Sequence, residues 1–260
     1  MKRIIITGAA GGIGSATVAA LRGRGAQVVG LDLAGADLEC DVRDQASVDA
    51  AVRTAIEQLG GLDVLINNAG LGTPQSAAAP PDEAALRVLD VNLVGPWRVT
   101  SAALPALRAT RGRVVNVASG LAHVTAPFST AYTMSKRGLV AYSDTLRLEE
   151  GDRIDVTTVY PGYIRTPIHA ESVAAGVPLE GAVPVEDVAD AVRTLVRAAL
   201  GAPVRDLATT RQGTIAYAVV RHAPRRLVDE ITRRRMRHLA RKGHFPDTGI
   251  AGAFARRLRG

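Results

Sequence analysis

The chain has 260 residues, 47% of them hydrophobic but only 3% aromatic, so it can bury one large core, filled by Ala, Val and Leu rather than by rings. Its one cysteine, Cys40, excludes an intrachain disulfide, and no apolar run approaches the ~18 residues of a membrane-spanning helix. The net charge of +7 is uneven: residues 1–200 carry 18 Lys/Arg against 21 Asp/Glu, and residues 201–260 carry 14 against 4. All the excess positive charge therefore lies in a C-terminal appendage. The opening MKRIIITG runs into an apolar stretch without the features of a secretory leader, and a cytoplasmic protein is expected.

In chain order, Arg3–Thr7 reads as a strand and Gly14–Arg24 as a helix. Gln27–Leu31 and Asp63–Asn67 are further strands, 81–110 is mainly helical, and Arg113–Ala118 is a strand. A helix carrying Tyr132 and Lys136 follows, then a strand over Asp155–Val159. β-Branched runs alternating with Ala/Leu-rich stretches predict a single α/β domain, a Rossmann-type doubly wound parallel sheet with helices on both faces. Residues 1–200 would form its body. Residues 201–260 would add a last strand and a basic helical extension.

TGAAGGIG, residues 7–14, follows the first strand directly. Gly8, Gly12 and Gly14 would allow a tight turn and a close backbone approach, and the following helix would aim its N-terminal amides, Ile13 among them, at a pyrophosphate. Asp32 ends the second strand, 18 residues after Gly14, where a carboxylate can accept hydrogen bonds from both adenosine ribose hydroxyls. It would repel a 2′-phosphate, so NAD(H) is expected in preference to NADP(H). Asp41, with Val42 beside it, has two readings: a contact to the adenine or a helix N-cap.

Tyr132 and Lys136 stand four apart, on one face of a helix. A surface pair is the plain reading. The chemical reading is that the ammonium draws the phenol down from its usual pKa near ~10 towards the working range of a proton-transfer catalyst.

Together these pieces resemble the short-chain dehydrogenase/reductase family from about Lys2 to Val196. The carriers, in order, are ThrGlyAlaAlaGlyGlyIleGly at 7–14, AsnAsnAlaGly at 67–70, Asn92 in ValAsnLeuValGly, and Ser119 in ValAlaSerGly. The Tyr132–Lys136 pair and ProGlyTyrIleArgThr at 161–166 complete the set, and Ser119 precedes Tyr132 by 13 residues. The resemblance implies an NAD(P)-dependent enzyme interconverting a secondary alcohol and a ketone, with Tyr132 as general acid/base. Lys136 would hold the nicotinamide ribose, Ser119 would bind the substrate oxygen, and Asn92 would anchor a proton-relay water. Asn68, Ala69 and Gly70 would line the adenosine side, and Pro161, Ile164 and Thr166 the nicotinamide side. AsnAsnAlaGly has a second reading as a brace of the sheet, with Asn67 the more structural. A homodimer or homotetramer is also implied. No metal site is expected. Two other readings carry less: a cofactor-binding scaffold, against which the complete Asn92–Ser119–Tyr132–Lys136 set argues, and a dehydratase or epimerase variant.

Only eight residues separate Asp32 from Asp41, too few for the family's usual helix, so a more open adenine edge is expected. No ValAspGlyGly-type ending occurs. GlyAlaProValArgAsp at 201–206 leads instead into an arginine-rich tail, loosely similar to that of relatives acting on retinoids and steroids. On the substrate side the resemblance implies a lid at 163–183, and Leu121, His123, Val124, Phe128, Tyr163, Ile168 and His169 are candidate lining residues, mostly apolar, favouring a lipophilic alcohol or ketone. In the tail, Leu227, Val228, Ile231, Met236 and Leu239 make an apolar side among arginines. Docking on a subunit surface and peripheral contact with an anionic membrane both fit; nucleic acid is disfavoured, since no recognition module or stacking aromatics accompany the charge.

Overall fold

The computed structural model describes residues 1–177, 185–246 and 248–259. The chain runs β1 (Arg3–Thr7), α1 (Gly12–Arg22), β2 (Gln27–Asp32), β3 (Leu38–Glu39), α2 (Gln45–Leu59), β4 (Val64–Asn67), α3 (Glu83–Leu89), a π-helical turn (Asp90–Val94) and α4 (Gly95–Thr110). It continues with β5 (Arg113–Val117), a 3-10 turn (Gly120–Ala122), α5 (Thr130–Glu150), β6 (Asp155–Tyr160), β7 (Tyr163–Ile164), a second 3-10 turn (Pro167–His169) and α6 (Ala170–Ala174). The described chain closes with β8 (Val185–Glu186), α7 (Val188–Leu200), β9 (Asp206–Ala208), α8 (Arg211–His222), α9 (Arg225–Arg241) and α10 (Gly249–Arg259).

Seven strands form one sheet in the order β3-β2-β1-β4-β5-β6-β9, and every pairing is parallel. The first three strands step outward one way from β1, and the rest start again beside it at β4. That reversal opens a crevice at the carboxyl ends of β1 and β4, where sheets of this kind bind ligands. Alternation along the strands sends side chains to both faces. Ile5 packs with Val48 and Val52 of α2 and Val99 and Leu107 of α4, while Ile4 and Ile6 pack with Val18 and Leu21 of α1 and Leu195 of α7.

Two local expectations shift. The first helix starts at Gly12, not Gly14, and ends at Arg22, because Gly23 caps it and Gly25 follows with φ +80°. Between Asp32 and Leu38 the chain makes only a bend, stitched down by Asp37, whose Oδ2 accepts from Gly30 N–H at 2.7 Å and from Arg22 at 2.5 Å. The expected last strand is β9, paired to β6 through Thr158–Asp206, Val159–Leu207 and Tyr160–Ala208.

The tail builds a small core of its own. Ala240, Phe245, Ala251 and Ala255 are buried together with Val177, and Phe128, Met236, Leu239, Ile250 and Leu258 pack on them. Val177 follows α6 and Phe128 precedes α5, so α9 and α10 close over the segments that flank both. Gly176 (φ +74°) fits against the Pro246 ring, where a Cβ would lie 2.7 Å from Pro246 Cγ.

Candidate active site

The turn from β1 into α1 is shaped by what cannot fit there. Gly8 sits at φ +68°, and a Cβ on it would come within 2.8 Å of Ala69 Cα; one on Gly14 would reach 1.9 Å from the Gly8 carbonyl. The Gly11 N-cap supplies no side-chain acceptor, so the first-turn amides of α1 at Gly12, Ile13 and Gly14 carry no cap. Thr166 stands over this turn, its Cγ2 3.7 Å from where a Gly12 Cβ would lie. The pre-nicotinamide segment and the glycine turn therefore meet, although 154 positions separate them in the chain.

Asp32 lies beside the same turn. Its Oδ2 accepts the Ala10 N–H and its Oδ1 the Leu33 N–H, both at 2.8 Å. Asp41 is held in an ion pair and does not cap α2. Arg43 grips both its carboxylate oxygens, with Nη2 at 2.6 Å from Oδ2 and Nε at 2.9 Å from Oδ1, and this hydrogen-bonded cation holds the carboxyl below the usual range. The N-cap of α2 is Asp44, whose side chain accepts from Ala46 and Ser47 N–H. Val42 is buried, filling the space where a Gly95 Cβ would otherwise stand.

The AsnAsnAlaGly segment divides its labour. Asn67 is buried and donates to Asn116 Oδ1 (2.8 Å) and Thr100 Oγ1 (3.0 Å), bracing the sheet. Asn68 donates through Nδ2 to the Thr7 and Gly8 carbonyls, 3.1 Å each. Thr7 Oγ1 accepts from both Asn68 and Ala69 N–H at 3.1 Å. Thr7 thus pins the β4 segment to the glycine turn, a role that its own neighbours in sequence do not announce. Gly70 leaves room for Lys136, whose Nζ would be 3.6 Å from a Cβ there.

Ser119, just beyond β5, is extended and caps the 3-10 turn by accepting the Leu121 N–H at 3.2 Å. Its hydroxyl is also near enough to the Tyr132 phenol to act on it. Lys136 is buried at 3% exposure, donates to the Val117 carbonyl at 2.8 Å and lies 5.8 Å from the Tyr132 ring centre. Burial pushes the Tyr132 phenol up, against a smaller downward pull from Ser119, and burial pulls the Lys136 ammonium down to about 8. Loss of water is thus the larger influence on the phenol, and Ser119 the one that opposes it.

Asn92 sits in the π-helical turn between α3 and α4, fully buried. Its Nδ2 donates to Leu71 O (2.8 Å) and Ser135 Oγ (3.1 Å), and its Oδ1 accepts the Leu71 N–H (2.7 Å). Both side-chain donors are spent on holding the segment after Gly70 against α5, so this side chain has no N–H left for a water.

On the substrate side, the Pro161 carbonyl accepts Gly120 N–H at 2.9 Å, tying the segment before β7 to the Ser119 turn. Tyr163 and Ile164 are buried, and the Tyr163 ring stacks on His169 with centroids 4.4 Å apart. Ile168 faces Gly72, which also borders Tyr132, while Leu121 is half-buried beyond Ser119. His123 and Phe128 are placed otherwise than expected. His123 is wedged against Tyr160 and Tyr217, at 5.3 and 4.8 Å between centroids, with Nε2 shut from solvent. Phe128, at φ +59°, turns its ring edge-on to Phe254 of the tail. Of the lid expected at 163–183, positions 178–183 lie outside the described residues. Two residues the sequence did not single out organise this side: Glu186, which binds Gly162 N–H, Thr209 and Thr210, and Arg225, which donates to the His123 carbonyl.

A parallel doubly wound sheet with an uncapped glycine turn at its switch point, and a Ser–Tyr–Lys group across the crevice, defines a nucleotide-binding oxidoreductase of the short-chain type. The sequence profile described as short chain dehydrogenase matches residues 2–175, and the chain belongs to that family. It is 36% identical to the oxidoreductase UcpA of Escherichia coli K12 over 192 residues, 66% of this chain and 73% of that protein. It is also 36% identical to a Streptomyces violaceoruber protein described as granaticin polyketide synthase putative ketoacyl reductase 2, over 222 residues covering 75% of this chain and 89% of the other. Among solved structures, a short chain dehydrogenase from Burkholderia cenocepacia J2315, crystallised with NADP, superposes with a TM-score of 0.76 at 26% identity, covering 88% of this chain and 99% of that one. The protein is an NAD(P)-dependent oxidoreductase of this family. No helix among the described residues is long and apolar enough to cross a membrane.

Proposed function

We propose that this chain interconverts a secondary alcohol and a ketone on a lipophilic substrate, using NAD(H), with Tyr132 as general acid/base. The observation that carries the reading is the buried Lys136 ammonium 5.8 Å from the Tyr132 ring centre, with Ser119 acting on the same phenol. The residues fit a dinucleotide. The α1 amides are uncapped, side chains are excluded at Gly8 and Gly14, and the hydrogen bond of Lys136 to Val117 leaves ammonium donors to spare for ribose hydroxyls. When bound, the nicotinamide supplies or accepts the hydride.

In the reductive direction the Tyr132 O–H gives its proton to the carbonyl oxygen, and Ser119 donates a hydrogen bond to that same oxygen as charge develops on it. In the oxidative direction the Tyr132 phenolate takes the hydroxyl proton. Burial makes that phenolate costly in the protein alone, so its formation depends on Lys136 remaining charged nearby. Asn92 holds the Leu71 backbone and Ser135 in place beside this group. Tyr132→Phe is the test: NADH binding should stay nearly unchanged, while turnover on a panel of secondary alcohols falls by about 10²-fold or more. Full activity in that variant would remove Tyr132 from the mechanism.

Asp32 supports NAD(H) over NADP(H), because its carboxylate is fixed at the end of β2 by Ala10 and Leu33. The buried Tyr163 and Ile164, with Ile168 facing Gly72 beside Tyr132, support an apolar substrate. Trp97 on α4 and Leu148 on α5, exposed by 60% and 88%, support an oligomer formed through those helices.

Peripheral membrane contact is part of the same proposal, with a changed contact set. Met236 and Leu239 pack into the tail's own core, whereas Leu227 and Ile231 stay exposed beside Arg226, Arg234 and Arg235. Cosedimentation with anionic vesicles should therefore weaken in Leu227→Asp/Ile231→Asp; equal sedimentation would end the membrane reading.

A further inference from the structure

A groove of about 520 Å³ runs between α9, α10 and the loop before α5, well apart from the glycine turn. From α9 it takes Asp229, Thr232, Arg233, Met236 and Arg237, spaced so that all lie on one helical face. From α10 it takes Phe254, Arg257 and Leu258, and its loop wall is Thr125 and Pro127. Its size falls within the range of small-molecule sites.

The charges are unevenly committed. Arg233 is paired with Glu230 at 3.1 Å. Asp229, the single acid in the groove, stands two helical turns from Arg237, and its charge acts on Arg137 of α5. Arg237 and Arg257 meet no carboxylate within ion-pair distance among the described residues; Arg257 lies over the Phe254 ring at 5.8 Å. Two guanidiniums with no carboxylate at ion-pair distance among the described residues, Arg237 feeling Glu230 only from farther off, therefore border a surface made by Met236, Phe254 and Leu258. A guanidinium fork recognises carboxylate or phosphate oxygens, and the apolar strip beside it suits an aliphatic chain.

We propose that this groove is a second ligand site, for a single-chain amphipathic anion: an aliphatic tail ending in a carboxylate or phosphate. The head group lies at Arg237 and Arg257 and the chain along Met236, Phe254 and Leu258. The site is independent of the hydride chemistry, and its Pro127 wall stands five residues before Tyr132 in the chain.

Isothermal titration of the full chain with decanoate, decanol and inorganic phosphate separates the parts. Decanoate should bind saturably at one site, and decanol and phosphate each more weakly. In Arg237→Gln/Arg257→Gln the decanoate affinity should fall by about tenfold or more, and in the control Arg226→Gln it should not change. Retained NADH binding and thermal midpoint in the double variant keep the test clear of unfolding. Undiminished decanoate binding in the double variant, absence of decanoate binding to the unaltered chain, or phosphate binding as tightly as decanoate would each overturn the proposal. NADH titration is read separately, so failure here leaves the oxidoreductase reading in place.

Discussion

The ammonium of Lys136 is bonded to the main-chain carbonyl of Val117, two residues before Ser119, and to no carboxylate. A buried ammonium without a counter-ion destabilises the fold that holds it. With its folded pKa near 8 against an ordinary 10.5, Lys136 contributes a penalty on the order of 3 kcal/mol that is fully present below pH 8. Between about 8 and 10.5 the unfolded chain keeps a proton that the native chain has lost, so this group makes stability rise with pH. The stability difference between Lys136→Met and the unaltered chain should favour the variant most below pH 8 and shrink towards pH 10.5, measured by urea unfolding in the absence of cofactor. A difference flat in pH would show that the ammonium is not desolvated. Turnover should be lost throughout.

Asp32→Asn removes the charge and keeps one acceptor oxygen, enough for the N–H of Ala10 or of Leu33 but not for both. The ratio of kcat/KM with NADP⁺ to that with NAD⁺ should rise by about tenfold or more, the size of one like-charge repulsion near the surface. An unchanged ratio would mean that the carboxylate does not choose the cofactor.

Thr7→Val preserves shape at a position only 2% exposed but removes the acceptor shared by Asn68 and Ala69. The expected loss is about 1–3 kcal/mol in chemical denaturation, together with weaker NADH binding, because the glycine turn is released from β4. Thr7→Ser should restore most of both. A Thr7→Val variant as stable as the parent would show that those amides find other partners.

Cys40 is 2% exposed, and its thiol is pushed up to about 11, chiefly by burial, with Ser47 pulling weakly the other way. Ellman's reagent at pH 8 should therefore label the native chain at the rate of unfolding and label it at once in denaturant. Fast stoichiometric labelling of the folded chain would contradict this packing.

Reading the sequence succeeds where one element carries its own signal. The β1 strand and its glycine turn, and the i,i+4 pair on α5, need only local spacing. It falls short where distant segments compete for one group. Asp41 reads as an adenine contact or an N-cap, but the cap of α2 is Asp44, while Arg43 grips Asp41. Phe128 fits an apolar substrate wall by type, yet a left-handed backbone angle and the Phe254 ring turn it towards the tail.

The sequence by itself determined which groups stand within reach of one another along a helix or a turn, because backbone periodicity sets that distance. Tyr132 and Lys136 are legible on those terms, as is the α/β class, whereas Ser119 is legible only through the family resemblance. Only the tertiary structure decided how those groups ionise and which face of the tail is covered. Both depend on removal of water by segments far away in the chain. The same burial that makes the α9 face of Met236 and Leu239 part of a core raises the Tyr132 phenol and lowers the Lys136 ammonium at the centre of the crevice.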